Sequence, residues 1–119
     1  MNIFEAAREK SPYLHFMMTK SGKAHVYMTH PKGGLTHAAC GARPPVFGFE
    51  ELGLEQIMPL NPFASTEELA PRAWARLRTL IGLVNCDTCQ RVTADAVNEA
   101  WKTNGLDRYL PDGEFPMHA

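Results

Sequence analysis

The sequence is poor in cysteine, in net charge and in long apolar runs, and each shortage excludes something. Three cysteines among 119 residues are too few, and odd in number, for a disulfide framework. No run approaches the roughly 20 apolar residues that a membrane-spanning helix needs. Twelve Lys and Arg stand against thirteen Asp and Glu, a net charge of −1. A general nucleic-acid binder carries a clear basic excess, so only a local basic patch is compatible with such binding. There is no internal repeat and no low-complexity stretch. Residues 1–16 hold two glutamates and no apolar core of a secretory signal, so the expected location is the cytoplasm, with no membrane association.

What is present is the composition of one modest domain, 1–119. Hydrophobic residues make up 45% and charged residues 21%, ordinary values for a globular chain. Nine prolines and nine glycines make it rich in loops.

The pattern along the chain predicts an α+β fold, a small antiparallel β-meander with two to three helices. A short helix over 2–10 ends at Pro12. Strands follow over 13–19, 24–29 and 35–39, separated by turns at Ser21-Gly22-Lys23 and at His30 to Gly34. Residues 41–65 read as irregular, with one or two helical turns over 49–57. Ser65 and Glu68 have capping-box spacing, and Pro71 marks a break or a fresh helix start. A helix over 71–83 puts Trp74, Leu77, Ile81 and Val84 on one face. Another, over 93–103, buries Ala96, Val97, Ala100 and Trp101 and stops at Asn104-Gly105. The tail packs through Leu106, Tyr109 and Leu110.

Two short pieces carry chemistry. Thr36 to Gly41 reads THAACG, and Asn85 to Gln90 reads NCDTCQ. His37 and Cys40 are separated by two residues, as are Cys86 and Cys89, the spacing with which one tight turn aims two side chains at one ion. Gly41 favours a bend that turns backbone amides toward the sulfur. The second pair precedes a predicted helix, where amides favour thiolate over thiol. Gly41 through Asn85 is 45 residues, and closing such a loop costs on the order of 3 kcal/mol. A structural zinc contributes about 10–16 kcal/mol, so a helical insertion over about 42–84 is no obstacle.

The fourth ligand has two candidates. His37 serves if the chain bends into a knuckle over 38–41. His25 serves if Pro31 lies opposite Gly34, which places His25 across from Cys40. The bend favours His37, with His25 as the alternative; strand register decides.

A glycine-closed knuckle followed later by C-x-x-C at a helix start resembles the treble-clef and zinc-ribbon group of zinc fingers. HAACG stands where that group has C-x-x-C-G, and VNCDTCQRV resembles its second half. The pattern is also similar to small bacterial and phage proteins with a His-bearing strand, a later CG and then CxxC. The resemblance covers the ligand segments and their flanks, not residues 42–84. It implies a zinc-stapled, treble-clef-like core. The group binds nucleic acids, proteins and small molecules alike, so fold does not settle function.

Other readings compete. Cys86 and Cys89 would suit a dithiol oxidoreductase, but they lie late, without a preceding strand-helix-strand unit, and Asn85 stands where the thioredoxin family has an aromatic residue. A deaminase needs H-x-E before P-C-x-x-C, and the glutamate and the proline are both missing. A metal-dependent nuclease of the His-Asn-His class needs an acidic or Asn partner that has no recognisable place. Catalytic zinc also needs an open coordination position, whereas three cysteines and a histidine fill all four. His15 and His118 read as histidines without a role, His30 as a turn residue. Arg72, Arg76 and Arg78 read first as a solvated helix face and second as a partner-binding face. A nucleic-acid finger would set them beside Lys20, Lys23 and Lys32. The expectation is a small zinc-stabilised binding or regulatory protein that docks on a protein partner, with an inhibitor of phage origin within that class; the alternatives are a nucleic-acid-binding zinc finger and an enzyme, either a metal-dependent nuclease or a CxxC dithiol oxidoreductase.

Overall fold

The computed structural model describes residues 12–30, 32–59 and 66–109. It is α+β, with a three-stranded antiparallel sheet and two helices. Strands β1 (Tyr13–Met18), β2 (Ala24–Met28) and β3 (Glu50–Gln56) precede helices α1 (Thr66–Leu83) and α2 (Asp87–Thr103), and a 3-10 turn covers Leu106–Tyr109. The strand order is β2-β1-β3. No described helix is long and apolar enough to cross a membrane.

The hairpin forms where expected, because alternation in β1 and β2 sends Leu14, Phe16, Val26 and Met28 to one face, all fully buried. Phe16 pairs with Val26 and Leu14 with Met28. Helix α1 packs on β3 and α2 on β2. Trp74, Leu77 and Ile81 are buried along α1, and Val84 just past its end continues the face, as the 3.6-residue period requires. Trp74 meets Trp101 of α2 with ring centroids 6.0 Å apart. The Trp101 indole N–H donates to the Ile57 carbonyl at 2.8 Å, so the largest buried side chain leaves no orphan donor.

The meander is corrected. Residues 35–39 form no strand; a single bridge joins Leu35 to Thr29. The third strand is β3, paired to the other side of β1, in the stretch expected to be helical. Glu, Leu and Gln give EELGLEQ helical propensity, but pairing with β1 overrides it. A bulge at Phe16/Met17, with Leu52 unpaired, accommodates the mismatch. Gly53 matters here, since a Cβ would come within 2.5 Å of Leu80 of α1.

Pro71 lies inside α1 rather than at its start. It withholds one early N–H bond, and the buried face of the helix carries the chain through. Helix α2 starts at Asp87, six residues before the expected Thr93. Its C-terminus follows the Asn104-Gly105 signal, with Asn104 Nδ2 donating to the Ala100 carbonyl at 2.7 Å and Gly105 at φ 70°. Leu106 is buried. The helix expected over 2–10, Ser65 of the capping box, the Tyr109 side chain, Leu110 and His118 lie outside the described residues.

Candidate metal centre

One turn is used three times. Thr19 N–H bonds to Lys23 O while Gly22 N–H bonds to Thr19 O. His30, Gly33 and Gly34 repeat the pair, and Ala38, Gly41 and Ala42 repeat it again. Each has a glycine at the fourth position with φ of 82°, 102° and 93° in turn, as a type I turn with a following left-handed residue demands. The third copy is the knuckle. It leaves Cys40 on an exposed corner.

The free edge of β2 brings the rest together. Alternate residues of an edge strand point their N–H and C=O outward. At Met28 they are taken by Thr36, whose N–H donates to Met28 O at 2.9 Å and whose Oγ1 accepts from Met28 N–H at 3.2 Å. At Ala24 they are taken by the α1–α2 link: Asn85 Oδ1 accepts from Ala24 N–H at 2.7 Å, and Cys86 N–H donates to Ala24 O at 3.4 Å. Asn85 Nδ2 also donates to Gly22 O at 2.8 Å. Between these two attachments the Val26 amide points at the Cys89 sulfur.

His25, Cys40, Cys86 and Cys89 therefore converge, their ligand atoms all within 4.8 Å of one another. His25 Nδ1 is 3.3 Å from Cys40 Sγ and 3.5 Å from Cys89 Sγ. A tetrahedral zinc bound by sulfur and imidazole sets such atoms about 3.5 Å apart, and its sulfurs about 3.8 Å apart. One imidazole N–H serves one sulfur well, not two; three sulfurs and a lone pair sharing a cation satisfies all four. The four residues form a potential metal-binding group.

Electrostatics agree with that use. Burial, then the Lys23 ammonium, lowers the His25 pKa below 6.5, which keeps the imidazole in its neutral, ligating form. Burial pushes the Cys89 thiol up to about 12, against the pull of the Val26 and Cys40 amides, and a divalent cation is what reverses such a shift. Burial also opposes ionisation of Cys86, but the amides of Cys89 and Thr88 and the neighbouring Cys89 and Cys40 side chains outweigh it and lower its pKa. Cys86 caps α2 without a side-chain hydrogen bond of ordinary capping geometry, and its sulfur faces the Cys40 and Cys89 side chains of the group. Burial and then the three cysteine sulfurs raise the pKa of Tyr27, whose hydroxyl donates to Arg43 O at 3.5 Å.

Cys40, Cys86 and Cys89 are thus gathered as their spacing suggests. His25 completes the group; His37 is exposed and stands outside it. The knuckle turn begins at Ala38, one residue too late to swing His37 inward. Arg72, Arg76 and Arg78 are exposed on α1, where Arg76 pairs with Glu55 of β3 at 2.7 Å. His15 also has partners: its Nε2 lies 2.8 Å from Thr29 Oγ1 and its Nδ1 3.9 Å from Glu51.

Asn85 is the residue that sequence reasoning passed over. The signal was present, since an amide side chain next to a ligand can stand in for a strand partner. Its loss leaves the Ala24 amide, at a buried residue, without an acceptor. Asn85→Ala should cost about 1–3 kcal/mol in urea unfolding of the metal-loaded protein. It should also weaken metal binding roughly 10–100-fold in a chelator competition, as outer-shell changes do. An unchanged urea midpoint would show that the clamp contributes nothing.

Compared with family models, with curated proteins and with solved structures, the chain has no significant match.

Proposed function

We propose that the protein is a small binding or regulatory protein whose single domain, 1–119, is stapled by one structural zinc. The observation that carries this reading is the meeting of His25, Cys40, Cys86 and Cys89 within 4.8 Å, from three separate places in the chain. Three thiolates and an imidazole select zinc among the common divalent ions. Four protein ligands leave no position for a reacting water, which supports a structural rather than a catalytic role. The glycine-closed turn and the cysteine pair at the start of α2 support a treble-clef-like core.

A protein partner is the reading favoured for what the domain binds. The charge is close to neutral, and Arg76 is engaged with Glu55. Val46 and Phe47 are 87% and 76% exposed on the loop that joins the knuckle to β3, a pair of apolar side chains more useful to a protein contact than to a phosphate backbone. Regulation or inhibition of that partner is the activity we propose for a domain whose metal position is closed.

Cobalt substitution tests the structural role. Cobalt(II) in the site should give the intense visible absorption of a tetrahedral thiolate centre, and added azide should leave it unchanged. A spectrum that shifts with azide would reveal an exchangeable position and move the site to the catalytic class.

A further inference from the structure

The three sulfurs of the centre differ in access. Cys40 is exposed, Cys86 is half-buried and Cys89 is buried with no exposed surface. All three lie within 4.8 Å of one another. We propose that Cys40 and Cys86 are a modification site for hydroperoxides, which couple them into a disulfide and expel the metal. The inference rests on the zinc reading above.

The steps balance. A metal site holds its cysteines as thiolates, and the thiolate is the nucleophile. The Cys40 sulfur attacks one oxygen of hydrogen peroxide. An S–O bond forms, the O–O bond breaks, the sulfur is oxidised by two electrons, and the other oxygen leaves as hydroxide. The product is a sulfenic acid. The Cys86 thiolate then attacks that sulfur; the S–S bond forms, the S–O bond breaks, and a second hydroxide leaves. Two thiolates and one peroxide give one disulfide and two hydroxides. His25 and Cys89 are left as the only donors, and two donors do not hold a structural zinc.

Geometry chooses the pair. The peroxide reaches Cys40 because the turn over 38–42 presents it at a corner. Cys89 is enclosed, with the Val26 and Cys40 amides turned toward it. Cys86 sits at the start of α2, half-buried rather than enclosed, with its sulfur facing the Cys40 side chain. A Cys40–Cys86 disulfide would join the knuckle to the start of α2, the places the metal joins. The oxidised chain therefore keeps its tie, loses its ion and releases His25.

The test uses zinc-loaded wild-type protein, hydrogen peroxide at neutral pH and a chromogenic zinc indicator. Metal content of the reduced protein is measured first; no metal at that stage defeats the zinc reading rather than this one. The expected result is one zinc released per peroxide consumed, two of three thiols lost and a Cys40–Cys86 peptide by mass spectrometry. Dithiothreitol with added zinc should restore the starting state. Zinc retained under excess peroxide would overturn the inference, as would release accompanied by a Cys86–Cys89 linkage or by thiols oxidised without cross-linking.

Discussion

Reduced, freshly purified protein is expected to carry about one zinc per chain, and Cys86→Ser to lose it together with a large part of the thermal stability. Serine offers a neutral hydroxyl in place of a thiolate, so the variant keeps three ligands and no closed tetrahedron. The energetic consequence is bounded from both sides. A zinc-finger peptide draws about 10–16 kcal/mol from its metal because it has nothing else. This chain has an independent core in which Leu14, Phe16, Tyr27 and Trp101 are fully buried, and part of the fold should survive metal loss. What fails is the join between the β2 edge, the knuckle and the start of α2. There, Cys89 would be left as a buried thiol beside the His25 ring. A loss of at least about 3 kcal/mol, in the range for destruction of a metal site, corresponds to roughly 10 °C or more in Tm. Elemental analysis and thermal unfolding of wild type and variant, side by side, check both halves. Wild type without metal would sink the zinc reading and bring forward the dithiol chemistry of Cys86 and Cys89.

The cysteines were legible because their signal is local. Two residues between ligands, a glycine after Cys40 and a helix after Cys86 are each properties of a few adjacent positions. The hairpin was legible for the same reason, as were the buried faces of Trp74 to Val84 and Ala96 to Trp101. Most of the misreadings concern contacts between segments apart in the chain. Nothing inside Glu50–Gln56 favours a strand; only the backbone of β1, some 35 residues earlier by numbering, makes it one. The start of α2 was placed too late because polar residues such as Gln90 and Arg91 weaken the apolar period. Gln90 in fact reaches back, its Nε2 donating to the carbonyls of Ile81 and Val84 at 3.1 Å, and so locks one helix end to the next beginning. Asn85 signals its role only by being an amide next to a ligand, because its partners are the backbone of Gly22 and Ala24, which carry no side-chain signature.

His25→Ala is expected to weaken zinc binding by more than about 100-fold, beyond the range of outer-shell changes, whereas His37→Ala should stay within about threefold and within roughly 0.5 kcal/mol in stability. The two histidines separate on which way a strand edge faces. On β2, Ala24 and Met28 are held along the free edge by Asn85 and Thr36, which fixes the rotation of the strand and sets the His25 ring against Cys40 and Cys89. Its ring lies edge-on to Tyr27, with centroids 6.2 Å apart, so it is oriented before any metal arrives. His37 follows Thr36, whose hydroxyl donates to the His37 carbonyl at 3.0 Å while accepting from Met28. That grip points Thr36 inward and leaves the His37 side chain in solvent. Because His25→Ala also removes part of a packed ring, stability alone would not isolate its role. Chelator competition does, and His25→Cys gives the control: a fourth thiolate in the same place should recover most of the affinity. Equal affinity in His25→Ala and wild type, with loss in His37→Ala, would require the knuckle to turn over and would place the site on the histidine that the bend at Gly41 first suggests.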